Sequence, residues 1–308
     1  MSLVIASLAP VFLIIVLGAV LRAQNLMDTA GWNGLERATY YVFFPAVIIM
    51  TLAKADLTRV PVVEVGAALI GAILAMAALL LALRPLLARL FGMSDTSFTS
   101  VFQGATRWNS FVAIATAGAL HASVGLTLTA IAVAAMIPLL NVLAVIMLQR
   151  YAQGRPIVLG PTLKTLIANP FIWSSAIGIV INALGLQLPL ILVRFGDILG
   201  QAALGAGLLL VGAGLDVKAA FRPRGLTWLC CALKLVLMPA MVGSVCIALG
   251  VSGVPLQVAV LCAAMPTASG SYILARHMGG DAPLMAEILT VQTLLAVVTI
   301  PLALNLVS

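Results

Sequence analysis

Ten long apolar segments fill most of this 308-residue chain and constrain its fold more than any single motif. They run about 3–22, 35–53, 62–83, 98–120, 124–148, 165–185, 198–215, 226–250, 254–275 and 284–306. A membrane-spanning helix takes about 20 residues, so each segment suffices for one crossing. Barrel strands would alternate apolar and polar residues over about 10 positions, whereas these segments are continuously apolar. Composition agrees. Hydrophobic residues make up 63% of the chain and charged ones 8%, against roughly 25% charged in a soluble domain. So few charges cannot clothe a water-soluble surface, which excludes a soluble globular protein. The short loops leave no room for an extramembrane domain of ordinary size. The N-terminal MSLVIASLAP has no basic n-region and no clear cleavage site, and reads as a retained first span.

The charges report topology. Loops after spans 1, 3, 5, 7 and 9 hold Arg22, Arg37, Arg84, Arg89, Arg150, Arg155, Lys164, Lys218, Arg222, Arg224 and Arg276. The opposite loops hold Lys54, Arg59 and Arg194. Eleven against three predicts odd-numbered loops in the cytoplasm and both termini outside, periplasmic in a bacterial inner membrane. The formal charge of +7 is spread along the chain without forming a patch, so the expected partner is the lipid bilayer and not nucleic acid. Cys230, Cys231, Cys246 and Cys262 lie inside apolar segments with no paired spacing. They read as reduced packing residues, and no metal or cofactor is expected.

An offset of 160 residues superposes Pro10 and Gly18 of span 1 on Pro170 and Gly178 of span 6. The same offset brings Thr106 of span 4 onto Pro266 of span 9, with Phe111 beside Tyr272. Two halves of five spans each must face the membrane in opposite directions, because five is odd. Such an inverted-topology repeat is associated with secondary transporters.

Spans 4 and 9 are the least regular, and they are a repeat-related pair. Span 4 carries Gly104, Arg107, Asn109 and Ser110 in its middle; span 9 carries Pro266, Thr267, Ser269, Gly270 and Ser271. Proline removes a backbone donor and clashes with the preceding turn. Counted along a helix, Arg107 and Asn109 lie roughly 14–16 Å from one end, and Pro266 roughly 18 Å. Both interruptions therefore fall near the midplane of a core about 30 Å thick. Unwound backbone at that depth persists only where protein buries it or it lines a watery cavity. Free helix N-termini there point amides at anions. The plainer alternative is a proline kink at Pro266 with close packing at Gly270.

At this point the chain resembles the auxin efflux carriers and their bacterial relatives described as malonate or malate permeases. The resemblance rests chiefly on MPTASGSYILARHMGGDAPLMAEILTVQTLLAVVTIPL, residues 265–302, and more weakly on PVFLIIVLGAVLR and TRWNSFVAIA. It implies ten spans as a five-plus-five inverted repeat, helices 4 and 9 crossing, and a scaffold beside a transport domain. Span 4 departs from plant members in lacking a proline, so the resemblance supports the break in span 9 more directly. The large cytoplasmic loop of many plant members is also missing.

Arg107 is the first candidate for substrate binding, since intramembrane charge marks function by default and its planar fork suits a carboxylate. Its structural alternative is a salt bridge or a carbonyl cap at the break. Lys234, roughly 12 Å into span 8, is a second candidate that could instead snorkel or pair. Gln292 and Glu287 of span 10 complete the set. Glu287 lies near the cytoplasmic edge, where interfacial solvation is the plain expectation and proton coupling the functional one. An intramembrane serine protease built on Ser269, Ser271 and His277 is set aside because GxSxG is absent, so no enzyme is expected. Ala203, Gly207 and Gly214 on span 7 mark close packing, within the core or in a homodimer. Trp32, Tyr40 and Trp228 read as interfacial belt residues.

These observations converge on an all-α polytopic membrane protein of ten transmembrane helices, divided as repeats 1–153 and 154–308. Its expected function is secondary active transport of a small mono- or dicarboxylate by alternating access about a midplane crossover. A sodium-coupled symporter of the bile-acid carrier type is the second reading. It needs clustered oxygens to hold sodium, and no carboxylate lies near the midplane. The third is a non-transporting membrane sensor.

Overall fold

The computed structural model describes residues 2–55, 61–154, 169–216 and 221–307. Of the residues read above, Arg59, Arg155, Lys164, Lys218 and residues 165–168 of span 6 lie outside the described residues.

Every regular element among the described residues is a helix. They are α1 (Ser2–Ala23), α2 (Thr29–Ala53), α3 (Val62–Phe91), α4 (Asp95–Thr106), α5 (Ser110–Met147) and α6 (Pro170–Ala183). Then come α7 (Leu190–Ala213), α8 (Gly225–Ala248), α9 (Gly253–Ala264), α10 (Gly270–Met278) and α11 (Ala282–Asn305). A π-helical turn interrupts α2 at Thr39–Phe43 and α8 at Leu233–Leu237. Within the described residues the apolar segments fall on helices, those of spans 4 and 9 each on two. Six helical stretches are long and apolar enough to cross a membrane, namely Thr29–Ala53, Val62–Phe91, Asp95–Ala152, Leu190–Ala213, Gly225–Ala248 and Ala282–Asn305. Leu8–Ala23, Pro170–Ala183 and Gly253–Ala264 are shorter apolar helices.

The stretch Asp95–Ala152 has 58 residues, about 87 Å if straight and so nearly three bilayer cores. Two interruptions divide it. One is the extended segment at Arg107–Asn109. The other is at His121 (φ −131°, ψ 16°) and Ala122 (φ 46°, ψ −132°), where the chain turns back. A Cβ on Gly125 would stand 2.1 Å from the Ala117 carbonyl oxygen, although eight helical residues would separate them by about 12 Å. Only a hairpin brings these backbones together, and only glycine permits the approach. Its position agrees with the boundary between spans 4 and 5 read from hydropathy.

The helices pack as two groups, each drawing on both halves of the chain. In one, α1 and α2 pack against α6 and α7. In the other, α3 and α9 pack on α5, α8 packs on α3, α9 and α11, and α4 and α10 lie against α11, while α5 also meets α1, α2, α6 and α7. The α1–α7 contact is a backbone approach: a Cβ on Gly212 would stand 1.8 Å from the Ile15 carbonyl oxygen. Gly207 lies against the Phe44 ring and Ala203 is fully buried, so these residues of α7 pack within the bundle.

Several sequence boundaries are corrected. α2 begins at Thr29, where Asp28 accepts the Gly31 amide at 2.7 Å, and α7 begins at Leu190. The charged residues near these starts lower local hydropathy, so the apolar segments were read as opening later. Arg37 and Arg194 consequently lie on helices and not in loops. Asp197 of α7 pairs with Lys54 beyond α2 at 2.7 Å.

A polar network gathers the N-termini of α4, α8 and α11. Asp281 accepts the Leu284 amide at 2.9 Å, the Ser97 hydroxyl at 2.9 Å and Arg224 Nη1 at 3.4 Å. Glu287 accepts Arg224 Nε at 2.9 Å, together with the Arg224 amide and the Thr227 hydroxyl. Carboxylates at helix N-termini oppose the positive end of the dipole. Glu287 is thus buried and ion-paired, which corrects the expectation that it is solvated at an interface. Trp32 is likewise buried, and Tyr40 packs on Phe171 at a centroid distance of 5.4 Å. Trp32 is therefore a packing residue and not a belt residue, Tyr40 is partly buried, and Trp228 remains exposed.

Candidate functional site at two interrupted helices

Span 4 breaks without a proline. α4 ends at Thr106, and Arg107 (φ −74°, ψ 159°) and Asn109 (φ −87°, ψ 96°) are extended. The Asn109 side-chain oxygen accepts the Phe111 and Val112 amides at 3.1 and 3.2 Å. Asparagine is among the preferred N-cap residues because its side chain competes with the helical backbone for these amides. The sequence Asn109-Ser110-Phe111 therefore starts a new helix where hydrophobicity alone would continue the old one.

Span 9 breaks after Ala264. Met265 is extended (φ −63°, ψ 141°), and helix resumes at Gly270. Pro266 supplies no amide, which leaves its neighbours without an intrahelical pattern. The two breaks then satisfy each other. Asn109 donates its amide to the Pro266 carbonyl at 2.8 Å. The Thr267 hydroxyl donates to the Gly104 carbonyl at 2.9 Å, and Gln292 Nε2 donates to the same oxygen at 3.1 Å. Gln292 Oε1 accepts the Thr267 amide at 2.9 Å. The carbonyls released at the end of α4, which have no intrahelical donor, thus find partners on α11 and beside Pro266.

Arg107 extends from this junction, half-buried. Its Nη1 donates to the Asn141 side-chain oxygen at 3.2 Å. A Cβ on Gly270 would stand 3.9 Å from Nη2, so the guanidinium lies beside the first turn of α10. No carboxylate pairs with Arg107 among the described residues. Ser269 precedes that turn without capping it, and Ser271 is buried with its hydroxyl unpartnered. Ser110 and Ser269 are partly buried, while Gly270 is exposed. A cationic fork beside an uncapped helix N-terminus can receive an anion.

The structure joins Arg107, Asn109, Pro266, Thr267 and Gln292 through hydrogen bonds or chain continuity, with Ser110 and Ser269–Ser271 at the adjoining helix starts. It does not bring every candidate there. Lys234 is fully buried on the π-turn of α8, and its amine lies within electrostatic reach of Cys230 and Cys262. Glu287 belongs to the Arg224 network.

Sequence reading missed Asn141, whose signal was an isolated amide in the otherwise apolar run Ile137–Met147. It also missed an aromatic floor: Phe111, the second residue of α5, stacks on Phe44 at 4.1 Å and meets Phe171 at 6.3 Å. Tyr40 adjoins this floor and lies within electrostatic reach of Arg107. Nothing in an apolar sequence marks which phenylalanines face a break.

No curated protein matches the sequence significantly. A family model described as membrane transport protein matches residues 3–304, nearly the full chain. With its bundle of apolar helices, the chain belongs to the membrane transport protein family, that of the auxin efflux carriers.

Proposed function

We propose that this transporter is a secondary active carrier of a small organic anion, a mono- or dicarboxylate, working by alternating access about the crossover of the two breaks. The observation that carries the reading is Arg107: a cation with no carboxylate partner among the described residues, beside the uncapped start of α10. A buried arginine costs several kcal/mol unless something compensates it. An incoming carboxylate supplies that compensation through a bidentate pair. Asn109, Ser110, Thr267 and Ser269–Ser271 frame the site, and Pro266 with Gln292 holds it open.

The apolar segments are read as ten spans in a five-plus-five inverted repeat, with both termini periplasmic in a bacterial inner membrane. In that arrangement the group α1, α2, α6 and α7 serves as scaffold, and the group α3, α4, α8, α9, α10 and α11 moves with the substrate. Sodium coupling is disfavoured because the carboxylate nearest to hand on α11, Glu287, is engaged by Arg224.

Uptake into proteoliposomes tests the function, using dicarboxylates and aromatic acids with proton and sodium gradients imposed separately. Saturable uptake of at least one carboxylate, unmatched by cationic or neutral analogues, is expected. Preference for a cation would sink the reading.

A further inference from the structure

Lys234 is fully buried, and its Nζ has no hydrogen-bond partner among the described residues. An ammonium taken out of water costs several kcal/mol when unpaired, and a methionine would fill the same space without that cost. The groups facing it offer no relief. Its electrostatic neighbours are the thiols of Cys230 and Cys262. Of the helices packed on the π-turn, α9 brings Cys262 but no carboxylate. α11 brings Glu287, held by Arg224; α4 brings Asp95, paired with Arg84. Arg107, just past α4, is bonded to Asn141.

The position is mechanically tied to the crossover. Cys230 lies one turn before Lys234, and its carbonyl accepts Gln292 Nε2 at 3.4 Å. The same Gln292 holds the Thr267 amide and the Gly104 carbonyl. The π-turn at Leu233–Leu237 departs from regular helix at this point, as such turns often do at functional sites.

Resting on the organic-anion reading, we propose that Lys234 is the proton carrier of this transporter, taking up one proton with each carboxylate and releasing it on the opposite side. In the opened site a hydronium ion gives its proton to the Nζ lone pair, which forms the third N–H bond and leaves water. On the far side Nζ returns that proton to water as the carboxylate departs. The charges then balance. The empty carrier crosses with Arg107 alone charged; the loaded one crosses with Arg107, protonated Lys234 and one carboxylate charge. Both carry the same net charge, so the two crossings cancel and the full cycle moves no net charge across the membrane.

The test uses radiolabelled benzoate and malonate in proteoliposomes containing trapped pyranine, with the uptake and acidification of protein-free liposomes subtracted. Wild type should take up probe at least tenfold faster under an inside-alkaline gradient, with acidification of the lumen. Lys234→Met should keep probe-for-probe exchange within about threefold, yet respond less than twofold to the gradient and leave pyranine unchanged. Lys234→Arg, which holds its charge permanently, should also lose the gradient response. Thermal unfolding of Lys234→Met should not fall below wild type. Exchange by wild type without any gradient response, or a full response in Lys234→Met, overturns the assignment and leaves the transport reading standing. A Lys234→Met protein that cannot fold overturns it as well, because the amine is then structural. Failure of wild type to exchange either probe overturns both readings.

Discussion

The Asn109 amide donates to the Pro266 carbonyl at 2.8 Å, joining two interrupted helices by their backbones. Each break exposes polar groups that the other satisfies, so neither is a local defect. Removing one partner should therefore disturb both.

Pro266→Ala restores a backbone donor and lets α9 continue toward α10. Transport should fall more than tenfold with expression and membrane insertion roughly unchanged. Initial uptake rates normalised to purified protein measure this. Unaltered kinetics would mean that other residues make the break.

Arg107→Lys keeps the charge but loses the planar fork, and should weaken carboxylate binding about tenfold. Arg107→Gln loses the charge too and should weaken it further, since charge-assisted hydrogen bonds contribute about 1.5–3 kcal/mol each. Ligand-induced thermal stabilisation of the purified variants reads both effects. A well-folded Arg107→Gln protein that binds like the parent would remove this residue from recognition.

Gln292→Leu leaves the buried Thr267 amide without its acceptor, at a cost of about 1–3 kcal/mol. A lower unfolding temperature and lost uptake are expected together, because the same amide group braces both breaks. Full transport by this variant would show that the brace is dispensable.

Gly212→Ala should destabilise the α1–α7 contact by about 1–3 kcal/mol, the usual cost of overpacking, because its Cβ meets the Ile15 backbone. Gly205→Ala, on the same helix but in open space, should be neutral or slightly stabilising. Paired melting curves decide the matter, and equal shifts would contradict the close approach.

Cysteine at Ser308, a residue outside those described, should react with an impermeant thiol reagent added from the periplasm; cysteine at Gly154 should not. The native cysteines are buried, which keeps background labelling low. Reversed labelling would overturn the proposed orientation and the inverted repeat with it.

The helical segments were legible in sequence because water's rejection of apolar side chains is a local, additive property. Among the described residues the apolar runs fell on helices, and Ala122 turns the chain where hydropathy dips. Pro266 declared its break for an equally local reason, a missing donor. What Gln292 and Asn141 do was not legible, since an amide in an apolar run does not say which helix it will meet. Glu287 looked like an edge residue until Arg224, 63 positions away, closed on it. Lys234 looked able to snorkel, and only packing on every side denied it water. Composition thus determined that this chain forms apolar helices, and single residues, Asn109 and Pro266, marked where two of them break. Tertiary structure alone decided which polar groups are satisfied, because a buried hydrogen bond depends on partners brought together from distant parts of the chain.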